Sequence, residues 1–370
     1  MFMADVYQLL GADISYYTGK ARAYLRYKDI PFEEVRATRD VYVNTILPRT
    51  GVAMIPVLIS PDNVAVQDTS EIIDFLEERF PEPSVFPETP RQGTVARLFE
   101  LYGDEWLVIP AMHYRWNHNA EAMYLEFGKV SRPDLSEAEQ VAVGKETCKP
   151  FQGALPILGV VPETERAIEA SYEQLLRDLD AHFAVHSYLL GSRPSIGDFG
   201  LIGPLYAHQY RDPASGVLMK RIAPNVARWV ERMNAPEPKS GDFLPGDEVP
   251  ETLYPVLKRI FEEQFPPLAE MTAALADWID AHPGEKIPRA IGKQSFALKG
   301  ADEKPVTAER GMFTFTQWMA QRVLDFYQPL SGEARQSVDA LLEDVGGKDA
   351  MQIRLRRRVV RVNNQLFAER

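Results

Sequence analysis

Cysteine is nearly missing from this chain: Cys148 is the only one in 370 residues, which excludes an internal disulfide and a thiolate metal cluster. Basic excess is missing as well. Lys and Arg number 41 against 53 Asp and Glu, a formal net charge of -12, so neither nucleic acid nor an anionic membrane is expected as a main partner. Nowhere do about 18 apolar residues run together, so no membrane-spanning helix is expected. The opening MFMADVYQLL has no basic segment and no long apolar core, from which a cytoplasmic location is expected. Repeats and low-complexity segments are also lacking. What remains is ordinary for a globular chain, with 45% apolar and 25% charged residues and a length sufficient for two or more domains.

The most constrained stretch runs from Met54 to Phe80. Val57, Leu58 and Ile59 form a short apolar run, Ser60 to Asn63 supply turn chemistry, and Val64 to Val66 form a second run, which together predict a β-hairpin. A helix follows directly. Asp68, Thr69 and Ser70 are all suitable N-caps, Ile72, Ile73, Leu76 and Phe80 share one face, and Pro81 and Pro83 end it. Pro56 opens the first strand, where it donates no ladder bond and where a cis peptide, if formed, would set a sharp turn able to present main-chain groups to a ligand. The Asp68-Thr69-Ser70 cluster stands at a helix N-terminus, whose N–H groups and dipole favour a carboxylate; an ordinary N-cap explains the same residues.

Preceded by a strand, a helix and another strand, these parts resemble the thioredoxin-like N-terminal domain of the glutathione transferases. The resemblance implies that the backbone of Ile55, before Pro56, pairs with the cysteinyl part of glutathione, and that Asp68 and Thr69 hold its γ-glutamyl end. Val6 to Leu10 is the first strand candidate, and Ser15 to Lys28 the first helix, with Tyr17, Ala21, Tyr24 and Leu25 on one side and Lys20, Arg22, Arg26 and Lys28 on the other. Aligned on Arg22 and Leu25, ISYYTGKARAYL resembles the serine and cysteine types of the family, whose active residue falls at Ser15. Helix capping alone also explains a serine there. Tyr7, Tyr16, Tyr17 and Thr18 are rival donors to the sulfur. Where the family often has Lys or Gln two residues before the proline, this chain has Met54, which leaves Arg39 and Arg49 as basic candidates for the glycyl carboxylate.

From Arg91 to about Phe127, apolar and aromatic residues recur every three or four positions and predict a long helix bent at Pro110. The resemblance places its inner face along a second-substrate pocket, with Trp106, His113, Tyr114 and Trp116 as lining candidates; plain core packing accounts for the same aromatic stripe. Lys129 to Pro162 reads as irregular, and Glu163 to His186 as an amphipathic helix. His182 and His186 stand one turn apart, yet no third ligand accompanies them, so no metal site is expected. In LLGSRPSIGDFGLIGPL, Ser195 and Asp198 have capping-box spacing, a folding role that the family shares.

The expected fold is thus an α/β thioredoxin-like domain over residues 1–84, an all-helical domain over 91–235, and a mostly helical extension over 236–370. Within the extension, a Pro/Gly-rich linker leads into helical runs at Leu253–Phe265 and Leu268–Ile279, a short strand at Gln294–Leu298, a helix at Thr314–Tyr327, and a last helix through Met351, Leu355, Val359, Val362 and Leu366. The arginines around that last helix are expected to form charge pairs within the molecule. The extension packs on the helical domain, enlarges a dimer interface or narrows the pocket. Function follows the resemblance: a homodimeric, glutathione-using enzyme acting on a hydrophobic electrophile, against a family-like binding module without catalysis, with thiol exchange last because Cys148 lies far from the Ser15 position.

Overall fold

The computed structural model describes residues 6–300, 302 and 304–369. Its N-terminal part is built on a mixed sheet in the order β2–β1–β3–β4. β1 (Tyr7–Gly11) runs parallel to β2 (Phe32–Arg36) and antiparallel to β3 (Val57–Ile59), which pairs antiparallel with β4 (Ala65–Gln67). α1 (Tyr16–Tyr27) supplies the crossover that a parallel pair requires. Two short helices, α2 (Arg39–Val41) and α3 (Leu47–Thr50), lead to β3, and α4 (Thr69–Arg79) follows β4 with Ile72, Ile73 and Leu76 buried as their spacing predicts. Leu10, Ala37, Ile46, Val57 and Ile59 form the core beneath α2 and α3.

The polar side assigned to α1 needs correction. Lys20, Arg22 and Lys28 are buried and only Arg26 is exposed. Each buried cation has a partner that makes burial tolerable: Lys20 Nζ donates to Ser70 Oγ at 3.2 Å, Arg22 grips Glu34 through two bonds of 2.6 Å, and Lys28 Nζ lies 2.8 Å from Glu77.

The helical part comprises α5 (Pro90–Glu105), α6 (Val108–His113), α7 (Ala120–Ser131), α8 (Glu137–Gly153), α9 (Glu165–Phe183), α10 (Ile196–Pro204), α11 (Pro213–Ile222) and α12 (Pro224–Asn234). The single bent helix expected over 91–127 is three helices with a π turn at Tyr114–His118. Pro110 bends nothing, because it sits in the first turn of α6 where no N–H is needed. The segment expected to be irregular contains α8. Its start is a capping box, with Glu139 accepting from the Ser136 N–H at 3.0 Å, and Gly128 and Gly144 let α7 and α8 touch backbone to backbone: a Cβ on Gly144 would stand 1.7 Å from the Tyr124 carbonyl oxygen. The other capping box forms as expected, with Ser195 N–H and Oγ each donating to Asp198 Oδ2 at 2.9 Å.

The extension carries α13 (Tyr254–Arg259), α14 (Phe265–Ala281), a hairpin of β5 (Ala290–Lys299) and β6 (Pro305–Phe313), α15 (Phe315–Tyr327), α16 (Gly332–Asp344), and a second hairpin of β7 (Val359–Val362) and β8 (Gln365–Ala368). The last helix expected from the Met351–Leu366 pattern is therefore a correction. Asn363 and Asn364 take φ of 50° and 62°, the two-residue turn that joins right-twisted strands, and β-branched Val359, Val360 and Val362 suit the pleat. Three of the arginines pair as expected, Arg356 with Asp277, Arg357 with Asp280, and Arg358 with Asp325 and Glu369.

By contact density the chain forms two compact units: residues through Ser84 with Tyr114–Gly153 and Leu201–Ser240, and Val85–His113 with Ala154–Gly200 and Gly241–Arg370. In the second unit the extension packs on helices of the central region. Gln264 donates to the Leu101 carbonyl, Thr316 donates to Glu105 at 2.6 Å, and Asp247 accepts from the N-terminal N–H groups of α5 at Arg91 and Gln92. Among the described residues no helix is long and apolar enough to cross a membrane.

Candidate functional site

Strand register decides which sequence positions share an end of the sheet. Leu10 faces Val57 and Val57 faces Gln67, so the chain leaves β1, enters β3 and leaves β4 at one edge. The β1–α1 loop with Ser15, the Ile55–Pro56 peptide, and Asp68 with Thr69 all emerge there. Ile55–Pro56 is cis. The Ile55 side chain packs against the Leu10–Val57 core, and its backbone lies just outside the first ladder pair.

Asp68 stands at φ 85°, ψ 136°, in a region that side-chain-bearing residues rarely occupy and that costs of order 1–3 kcal/mol. Its Oδ1 accepts from the Ser70 N–H at 2.9 Å, so it is the N-cap of α4, and the half-buried carboxylate keeps its other oxygen at the helix start. Thr69 is buried in the first position of α4. Lys20, whose burial the helical pattern concealed, reaches Ser70 from α1 and ties the starts of the two helices together.

Ser15 caps α1: its Oγ accepts from the Thr18 N–H at a long 3.3 Å, and its own proton has no acceptor among the described residues. The rival donors separate by position. Tyr7 begins β1, four residues and about 13 Å from the loop at about 3.3 Å per residue, and packs against Phe80. Tyr16 is buried edge-on to His208, Thr18 is buried with its Oγ1 facing the Ala12 N–H, and Tyr17 lies half-buried on Tyr16 with ring centres 4.7 Å apart. Thr18 is also why residue 11 is glycine, since a Cβ there would stand 2.3 Å from the threonine methyl.

A cleft of about 530 Å³ opens beside this loop, lined by Ala12, Ile14, Val130 and Pro133 together with charged side chains that include Asp13, Arg36, Lys129 and Arg211. The expected lining residues lie elsewhere. Trp106 is buried under Phe296 and the Arg310 guanidinium, bordering a void of about 20 Å³; buried His113 bonds Glu169 at 3.1 Å; Tyr114 stacks on His118 and Trp116 packs with Phe127 and Phe151. Arg49 is exposed at the end of α3 and reaches the Asn63 carbonyl at 3.5 Å, and Arg39 is exposed at the start of α2. His182 uses both ring nitrogens, on Thr252 Oγ1 and the Tyr188 carbonyl, so it does not pair with His186 as a ligand set. Burial pushes the Cys148 thiol up to about 12, which removes thiolate character.

The residue that the motifs did not flag is Arg115. It is buried, forks onto Asp212 through Nε at 2.7 Å and Nη2 at 2.9 Å, and donates from Nη1 to the Ile14 carbonyl at 2.8 Å. Nothing in the sequence near Arg115 signals this, because the contact spans a hundred positions.

Comparison of the sequence with curated proteins gave no match. Among solved structures, a glutathione S-transferase from Rhodospirillum rubrum is 17% identical, with 66% of this chain and 96% of that one covered at TM-score 0.40. A glutathione transferase from Phanerochaete chrysosporium is 16% identical over 65% and 100%, at 0.46. The beta-etherase LigF from a Sphingobium strain is 17% identical over 64% and 97%, at 0.42. The sequence model for the glutathione S-transferase N-terminal domain matches residues 9–84, which hold the end of β1, all of β2, β3 and β4, and α4, and the model for its C-terminal domain matches 161–232, which hold the Ser195–Asp198 capping box. With both domains present in the family's order, the chain belongs to the glutathione transferase superfamily.

Proposed function

We propose that this chain is a cytoplasmic glutathione transferase that holds glutathione at the sheet end shared by Ser15, Ile55–Pro56 and Asp68–Thr69, and stabilises its thiolate with Ser15. The observation that carries the reading is Asp68: a strained backbone kept at a helix start, with its carboxylate part-exposed, is what a dedicated contact for an ammonium group would need. The γ-glutamyl ammonium pairs with Asp68, and its carboxylate meets Thr69 at the positive end of α4. The Ile55 backbone takes the cysteinyl part, and Arg49 is the basic side chain assigned to the glycyl end.

A free thiol with a pKa of about 8.5 is mostly protonated at neutral pH. The Ser15 O–H, uncommitted as a donor, stabilises S⁻ over SH, and one hydrogen bond to a charged acceptor supplies the ~1.4 kcal/mol that lowers the thiol by one unit. The electrophile then sits in the neighbouring cleft, whose mixed apolar and charged lining favours a molecule with a hydrophobic body and a polar end. Exposed Met54, in place of the family's polar side chain, favours the second reading, a binding module without catalysis.

Thiolate absorbance of bound glutathione against pH decides between them. Ser15→Ala should move the titration up by about one unit, and Tyr17→Phe should leave it in place. If neither variant moves it, the enzyme reading gives way to the binding module. The working form is a homodimer, and sedimentation at micromolar concentration should show twice the 41.9 kDa chain; a clean monomer would reject that part.

A further inference from the structure

We infer that Arg115, oriented by Asp212, is a positioning residue that fixes the Ser15 hydroxyl by holding the peptide immediately before it. This rests on the role proposed for Ser15. The β1–α1 loop is anchored carbonyl by carbonyl: Gly11 accepts from the Ala37 N–H at 2.7 Å, Ala12 from the Ser15 N–H at 3.0 Å, and Ile14 from Arg115 Nη1 at 2.8 Å. The first two anchors lie within the thioredoxin-like domain. The last, at the residue adjoining Ser15, comes from outside it.

Ser15 cannot fix itself, because its one side-chain bond to Thr18 is 3.3 Å long and it is part-exposed. Arg115 can. Its planar fork is spent on Asp212 Oδ1 and Oδ2, a further Nη2 bond of 2.5 Å reaches the Ala207 carbonyl, and Nη1 then points in the one direction left, to Ile14. Arg115 is 2% exposed and Asp212 0%, so water does not compete for these bonds. The residue on the other side of Ser15 is held from the same segment. Tyr16 packs on Gly203, where a Cβ would stand 3.0 Å from its ring, and edge-on to His208 at 5.4 Å. Ser15 thus stands between two fixed residues, with its side chain held only by the long bond from the Thr18 N–H.

Two variants test the inference. Arg115→Lys keeps the charge but cannot span Asp212 and Ile14 with one plane, and Asp212→Asn keeps the shape but loosens the fork. In each, the titration of bound glutathione should rise by about half a unit, a threefold loss of thiolate near neutral pH, with glutathione affinity within about twofold of the parent. In a Ser15→Ala background the same changes should add nothing, since the group they position is gone. A folded Arg115→Lys protein that titrates like the parent, while Ser15→Ala does not, overturns the inference and leaves the role of Ser15 standing. Loss of the fold in both variants, judged by circular dichroism, also overturns it and makes the pair a structural brace. If Ser15→Ala itself titrates like the parent, the function proposed for Ser15 is what fails.

Discussion

Replacing Asp68 by glycine separates a cap from a ligand contact, because it should keep or raise stability while weakening glutathione binding. At φ 85°, ψ 136°, aspartate bears a backbone cost of about 1–3 kcal/mol that glycine does not. Against this, losing the Asp68–Ser70 cap costs a few tenths for a glycine replacement, and glycine gives up about 0.5–1 kcal/mol in chain entropy. The sum runs from about neutral to 2 kcal/mol stabilising. Glutathione binding should move the other way. Loss of a charge-assisted contact at a half-buried site raises the dissociation constant about tenfold, ~1.4 kcal/mol. Asp68→Ala should weaken binding equally but destabilise the fold, since it loses the cap and keeps the strain. Urea unfolding and calorimetric titration on both variants give the comparison. If Asp68→Gly is destabilised by more than about 1 kcal/mol, or binds glutathione as the parent does, the site assignment at α4 is wrong.

Burial holds His182 down to about 4 from an ordinary 6.5, so its folded-state pKa lies below the unfolded one. The stability this neutral histidine contributes is complete above about pH 6.5 and is lost as pH falls toward 4; between pH 7.5 and 5 the loss is about 2 kcal/mol, and a His182→Asn protein should lack that share of the slope in urea unfolding at the two pH values. Gly144→Ala drives a Cβ to within 1.7 Å of the Tyr124 carbonyl and should cost about 1–3 kcal/mol or more, whereas Gly153→Ala, in the same helix with nothing within 4 Å, should be neutral or slightly stabilising; equal thermal midpoints would contradict the close α7–α8 packing. Ending the chain at Ser240 strips α5 of the partners of Leu101, Glu105 and Arg91, and should yield aggregates on size-exclusion chromatography; a monodisperse product with parent-like circular dichroism would show that the extension is dispensable for folding.

The hairpin and helix from Met54 to Phe80 were legible because their signals are local: turn residues, apolar alternation, an N-cap and terminal prolines each act within a few positions. The same held for the Ser195–Asp198 box. Where two local codes compete, the apolar pattern alone misleads. Met351 to Leu366 has apolar residues at helical spacing, but an Asn-Asn turn between Val362 and Gln365 closes a hairpin instead, and the Ser136–Glu139 cap that starts α8 is hidden among residues with weak periodicity.

The sequence by itself determined the family, the thioredoxin-like sheet with its following helices, and the residue types of the proposed glutathione site, because motif order and short-range chemistry suffice for those. Only tertiary structure decided that Tyr7 lies at the far end of β1 from Ser15, that Lys20 and Arg22 are buried, and that Arg115 reaches Ile14. Those facts depend on strand register and on partners up to a hundred residues away, which no local pattern encodes.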